Sequence, residues 1–199
     1  QGHCPAEGVF GSQPDQGSID PTDQALSPRG FGAGHINKVT SVVFGPGDKL
    51  VASASADTTA RLWDLVKGKV HKTLKDHIDV VASVAFSRDG KKIVTASRDK
   101  TAKVWDVFTG GVLTTFSGHT EQVNEAVFTP DGKQVISVSN EDTIKLWSAT
   151  TGKESKTFLG HTHWVEQVAV SPDGKTIISY SNGKAVRIWD VATGNELTN

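Results

Sequence analysis

The stretch from Gly34 to Asp64 reads GHINKVTSVVFGPGDKLVASASADTTARLWD, and its phrasing returns in three further copies at a fixed 42-residue period. His35, His77, His119 and His161 open the copies, and Trp63, Trp105, Trp147 and Trp189 close them, always 28 residues later. No insertion or deletion has shifted any copy. A period of this length marks a repeat architecture, in which each unit buries its apolar face only against its neighbours. Arrays of this kind mostly bind rather than transform.

Within each copy, four short runs are separated by turn residues. In the first, Val39–Phe44, Leu50–Ser55, Ala60–Asp64 and Lys69–Leu74 read as four strands. The first two runs are joined by Gly45-Pro46-Gly47-Asp48-Lys49, and in later copies by Arg88-Asp89-Gly90, Pro130-Asp131-Gly132 and Pro172-Asp173-Gly174. These are hairpin signals, with glycine taking the positive φ that the turn needs. Gly68, Gly110, Gly152 and Gly194 mark the turn between the third and fourth runs. Short β-rich runs at about ten-residue spacing predict an all-β fold without helices.

The units follow the pattern Gly-His, Val-x-x-Val-x-Phe-x-x-Asp-Gly, Ser-x-Ser-x-Asp-x-Thr-x-x-x-Trp-Asp. That pattern resembles the WD40 repeat family. The resemblance implies a WD40-type β-propeller with four recognisable four-stranded blades at 34–75, 76–117, 118–159 and 160–199. It also implies a buried hydrogen-bonded tetrad in each blade. The tetrads are His35, Ser53, Asp57 and Trp63, then His77, Thr95, Asp99 and Trp105. The third has His119, Ser137 and Trp147, with Glu141 where aspartate is expected. The fourth has His161, Ser179 and Trp189, with Gly183 at the carboxylate position. The third copy also carries Ser148 after its tryptophan, and the second opens on Asp76 rather than glycine. A network missing one member leaves a polar group unsatisfied, so the fourth blade should be the looser one.

The four His-Ser-Asp sets are read as framework rather than catalytic. They repeat and are expected to be buried, whereas a nucleophilic serine must be exposed beside an oxyanion hole. His161-Thr162-His163 has no second ligand cluster to support a metal. Gly45-Pro46-Gly47-Asp48-Lys49 lacks the Gly-Lys-Ser/Thr ending of a phosphate loop. No catalytic motif, metal site or cofactor site remains. Net charge is −1, with 21 basic and 22 acidic residues spread through the copies, which argues against a nucleic-acid stripe. No apolar run approaches membrane-spanning length. Cys4 is the sole cysteine, which favours a reducing, cytoplasmic setting and fits a small secreted fragment too.

Residues 1–33 are rich in Gly, Pro, Ser, Asp and Gln and carry no period, the composition of a disordered linker. There is no methionine, and the last copy stops at Leu197-Thr198-Asn199, one residue short of the place held by Leu74, Phe116 and Phe158. Both ends therefore read as truncated. Four copies read as part of a larger ring, closed by further blades, by a second chain or by strain, with further blades favoured. Open blade faces predict self-association.

The leading functional expectation is a non-catalytic scaffold that binds protein partners, as such propellers do in large signalling proteins. The alternative is a structural subunit packed against catalytic subunits in an enzyme or respiratory assembly. The resemblance places partner binding on the top face, at the start of the first strand and just before the tetrad carboxylate. The candidates there are Lys38, Arg98, Gln122, Asn124, Trp164 and Glu166. Trp164 is the only tryptophan outside the period, and it reads equally as a binding anchor or as packing against a neighbouring blade.

Overall fold

The computed structural model describes residues 34–183 and 185–197. The expected disordered stretch 1–33 lies outside the described residues. Among the described residues fifteen strands are present: β1 (Val39–Phe44), β2 (Leu50–Ser55), β3 (Thr59–Asp64) and β4 (Lys69–Lys75) in the first blade; β5 (Val81–Phe86), β6 (Lys92–Ser97), β7 (Ala102–Asp106) and β8 (Val112–Phe116) in the second; β9 (Val123–Phe128), β10 (Gln134–Ser139), β11 (Ile144–Ser148) and β12 (Glu154–Phe158) in the third; β13 (Val165–Val170), β14 (Thr176–Ser181) and β15 (Val186–Asp190) in the fourth. Each blade is an antiparallel meander in chain order, and no described residue is helical. The expected strands of the first blade are all found, two of them one residue longer.

The fourth sheet has three strands, with a start of strand pairing beyond them. Glu196 bridges Trp189, and the Leu197 amide donates to the Ile188 carbonyl at 2.7 Å. The hairpin glycines adopt the left-handed conformation their turns require; Gly132, at φ 66°, and Gly152, at φ 68°, represent the two turn types. After the tryptophan, Asp64, Asp106 and Asp190 cap the next turn by accepting the amides of Lys67, Thr109 and Thr193. Ser148 does the same in the third blade, accepting from Thr150 and Thr151 at 3.3 and 3.2 Å.

Three apolar cores hold the array together, and each lies between consecutive blades. Ala52, Ala54, Ala60 and Leu62 of the first blade meet Val81, Val84, Ile93 and Trp105 of the second. Val94, Ala96, Ala102 and Val104 then meet Val123, Ala126, Val135 and Trp147. Ile136, Val138, Ile144 and Leu146 meet Val165, Val168, Ile177 and Trp189. One face of β6 and β7 thus serves one core while the opposite face serves the next, because side chains alternate along a strand. Polar clamps join the same neighbours: Thr40 Oγ1 donates to the Val81 carbonyl, and Asn124 Nδ2 to the Val165 carbonyl at 2.8 Å.

The outer faces of the array have no such partner among the described residues. Val42 and Phe44 on the first blade are 61% and 63% exposed, whereas Val84 and Phe128 at equivalent places in the second and third blades are buried. Ile178, Tyr180 and Val186 on the fourth blade are likewise exposed, although Ile136, Val138 and Ile144 at the same register are buried. The described residues therefore form an arc with two apolar ends.

Candidate functional site

The tetrads form as the register requires. His35 Nδ1 donates to Asp57 at 2.8 Å, Trp63 Nε1 donates to Ser53 Oγ at 2.8 Å, and Ser53 Oγ lies 2.7 Å from His35 Nε2. In the second blade the corresponding distances are 2.7, 2.8 and 2.7 Å through Asp99, Trp105, Thr95 and His77. The indole can only donate, so the hydroxyl accepts from it and gives its own hydrogen to Nε2, which leaves the ring proton on Nδ1 facing the carboxylate. Burial by itself would raise the Asp57 and Asp99 pKa values. Hydrogen bonds outweigh it and hold both well below the usual aspartate value. The side-chain donors are Thr59 and His35 for Asp57, and His77 and Thr101 for Asp99, with backbone amides adding to each.

Glu141 stands in for aspartate without loss of the network. Its carboxylate reaches His119 Nδ1 at 2.5 Å and also accepts from the Thr120 amide and the Thr120 and Thr143 hydroxyls. Burial opposes ionisation here too, and the threonine and histidine donors overcome it, bringing the pKa down to about 2. The fourth blade keeps His161, Ser179 and Trp189 in the same arrangement, at 2.7 and 2.8 Å. With Gly183 at the carboxylate place, the buried His161 Nδ1 has no hydrogen-bond partner among the described residues. All four serine or threonine hydroxyls are buried.

The predicted top-face positions are paired by backbone hydrogen bonds at the same period. Ala56, Arg98, Asn140 and Asn182 donate their amides to the carbonyls of Lys38, Val80, Gln122 and Trp164, at 2.8 to 3.0 Å. Each residue before the tetrad carboxylate is thus fixed beside the start of its blade's first strand. Trp164 is held by its backbone while its side chain is 55% exposed. It stands between two clefts. One, of about 860 Å³, brings together Arg98, Gln122, Asn124, Trp164 and Glu166. The other, of about 480 Å³, is lined by Asn140, Asp142, His163, Trp164 and Asn182 among others.

Five of the six candidate residues therefore share one concave surface. Lys38 does not; it belongs to the first blade and lines neither cleft. Asn124 lines the larger cleft, but its amide nitrogen is committed to Asn140 Oδ1 at 2.7 Å and to the fourth blade. It clamps blades as well as facing the cleft. Sequence reasoning considered His163 only as a metal ligand and missed that its ring lies against Gly183: a Cβ there would stand 2.6 Å from its Nδ1. The signal was His163 itself, an unshared residue two places from a tetrad histidine in the one copy that lacks a carboxylate.

Antiparallel blades, three with four strands and the last with three among the described residues, each locked by a His–Ser/Thr–Trp network and packed on the next, define a propeller-type repeat protein. The chain belongs to the WD40 repeat family. The family model described as WD domain, G-beta repeat, matches residues 27–64, 68–106, 110–148 and 152–190, well over half the chain. Comparison with curated proteins finds no match. The family unit is offset by one strand from the blade: residues 68–106 contain β4 of the first blade and β5–β7 of the second. The second, third and fourth sequence units consequently each tie two blades together. The first match reaches back to residue 27, into the stretch whose composition reads as a linker. No helix among the described residues is long and apolar enough to cross a membrane.

Proposed function

We propose that this protein is a non-catalytic interaction scaffold whose protein partner docks on the face around Trp164. WD40 domains generally mediate protein–protein interaction. The observation that carries the assignment to this face is the exposed Trp164 indole between two clefts, in a chain whose periodic tryptophans serve the tetrads. A large, stiff, amphipathic side chain held by its backbone loses little entropy on binding and suits an anchor. Arg98, Gln122 and Glu166 supply polar neighbours around it. The framework positions are committed to the tetrads and turns, so partner-specific information resides where the copies differ.

The test is capture of partners from native extract by the wild-type chain and by Trp164→Ala. Truncating an anchor of this kind costs about 2 kcal/mol of binding or more, so capture should weaken more than about tenfold. An unchanged capture profile with Trp164→Ala would remove this face from consideration.

A further inference from the structure

Three blades place the same kind of acceptor at one position. Asp57, Asp99 and Glu141 each face the Nδ1 of the blade's histidine, and each also accepts the amide of the residue after that histidine, Ile36, Ile78 or Thr120. In the fourth blade the same atom, His161 Nδ1, is buried with no hydrogen-bond partner among the described residues. Trp189 donates to Ser179 Oγ, which lies 2.7 Å from His161 Nε2 as in the complete tetrads; in the tautomer those tetrads hold, Ser179 gives its hydrogen to Nε2 and the ring proton lies on Nδ1. Burial keeps the His161 pKa below the ordinary histidine value, and the neutral ring has that single N–H. A buried donor left without an acceptor is unfavourable, and any acceptor that reaches it recovers the difference.

A movable side chain, rather than framework, covers the position. The His163 ring lies over Gly183 and lines the smaller cleft beside Trp164. It is exposed and hydrogen-bonded to its neighbour Thr162 Oγ1 at 3.0 Å, and a change of rotamer clears it from the site.

We infer that the place left by Gly183 receives a carboxylate from the docking partner: an aspartate or glutamate side chain enters past Trp164, turns the His163 ring aside and accepts from His161 Nδ1. The partner thereby completes in trans the tetrad that the other blades complete with their own residue. The Thr162 amide stands at the register of the Ile36, Ile78 and Thr120 amides and supplies a second donor. Thr59 and Thr101, which also bond the carboxylate in the first two blades, are matched by Ala185, so the fourth site has no hydroxyl from that position. Glu141 and Asp142 on the cleft rim disfavour free anions, and Glu141 is already matched by its own donors. The rim charge opposes any incoming carboxylate; a protein segment anchored at Trp164 offsets it through a high local concentration, and a free small acid does so only at high bulk concentration. The inference rests on the docking reading above.

Its test needs no partner. Sodium acetate is the probe, titrated against sodium chloride at constant high ionic strength, where the rim charges are screened. The readouts are the imidazole NMR signals of His161 and the thermal midpoint. In the wild type, the His161 Nδ1–H signal should move downfield and saturate as acetate replaces chloride, with a rise in midpoint. Gly183→Asp combined with His163→Ala carries its own carboxylate and clears the ring, so its signal should start downfield and ignore acetate. A wild-type His161 signal indifferent to acetate would overturn the inference, as would an equal acetate response in the double variant. Failure here leaves the Trp164→Ala capture result standing, while failure of that capture experiment leaves the acetate response unaffected.

Discussion

Asp57 and Asp99 each occupy the carboxylate place of a complete tetrad, and their side chains are almost wholly buried. Asp57→Ala or Asp99→Ala strands a buried imidazole N–H and should destabilise the fold by about 1–3 kcal/mol, read from denaturant unfolding. A change within a few tenths of a kcal/mol would contradict the network. The histidines make stability depend on pH. His119 and His161 have pKa values lowered from 6.5 chiefly by burial, so the unfolded chain binds their protons first. Stability is full above the ordinary histidine value and falls as the pH drops below it. Asp57, Asp99 and Glu141 are also depressed in the fold, so a further loss follows as the pH drops below their ordinary values of 3.8 and 4.5. The thermal midpoint should therefore fall from pH 7 to 5 and faster below about 4; a midpoint that rises over the first interval would contradict the burial of neutral histidine. The tetrads were legible because the WD40 resemblance implied them and the fixed 42-residue spacing placed their members. The approach of His163 to Gly183 was not, because it occurs in a single copy and joins residues that no period relates.

At the scale of elements, the turns were as legible as the strands, since glycine recurs where a left-handed residue is needed. The sequence did not distinguish one turn glycine from another. Gly132 has φ 66° with open space around a built Cβ, whereas a Cβ on Gly152 would stand 2.9 Å from the Thr115 carbonyl oxygen. Gly132→Ala should cost about 1–2 kcal/mol, the penalty of the left-handed conformation alone. Gly152→Ala should cost clearly more, because backbone of the neighbouring blade must also move. Equal losses in urea unfolding would mean that the second and third blades are not in close contact at that turn. Glu141 carries the same lesson: the residue type departs from the pattern, yet its extra methylene still delivers the carboxylate to His119.

For the whole molecule, the period made the order of blades readable and left their closure open, since the outer faces of the first and fourth blades have no partner among the described residues. The exposed Val42 and Phe44 at one end and Ile178, Tyr180 and Val186 at the other occupy the registers that are buried between blades elsewhere. Exposed apolar ends of this kind drive association. Sedimentation of the chain over a concentration series should reveal self-association, reduced by Phe44→Glu together with Tyr180→Glu. A monodisperse, thermally robust monomer would show that the ends need no cover. Under the proposed scaffold role the arc separates two jobs, with tetrads and cores holding the blades and the Trp164 face meeting a partner. The most direct test of that division measures Trp164→Ala twice, for partner affinity and for the unfolding midpoint. Affinity should fall more than about tenfold while the midpoint stays within a degree or so of wild type; a lowered midpoint with unchanged affinity would make Trp164 a packing residue and contradict the account.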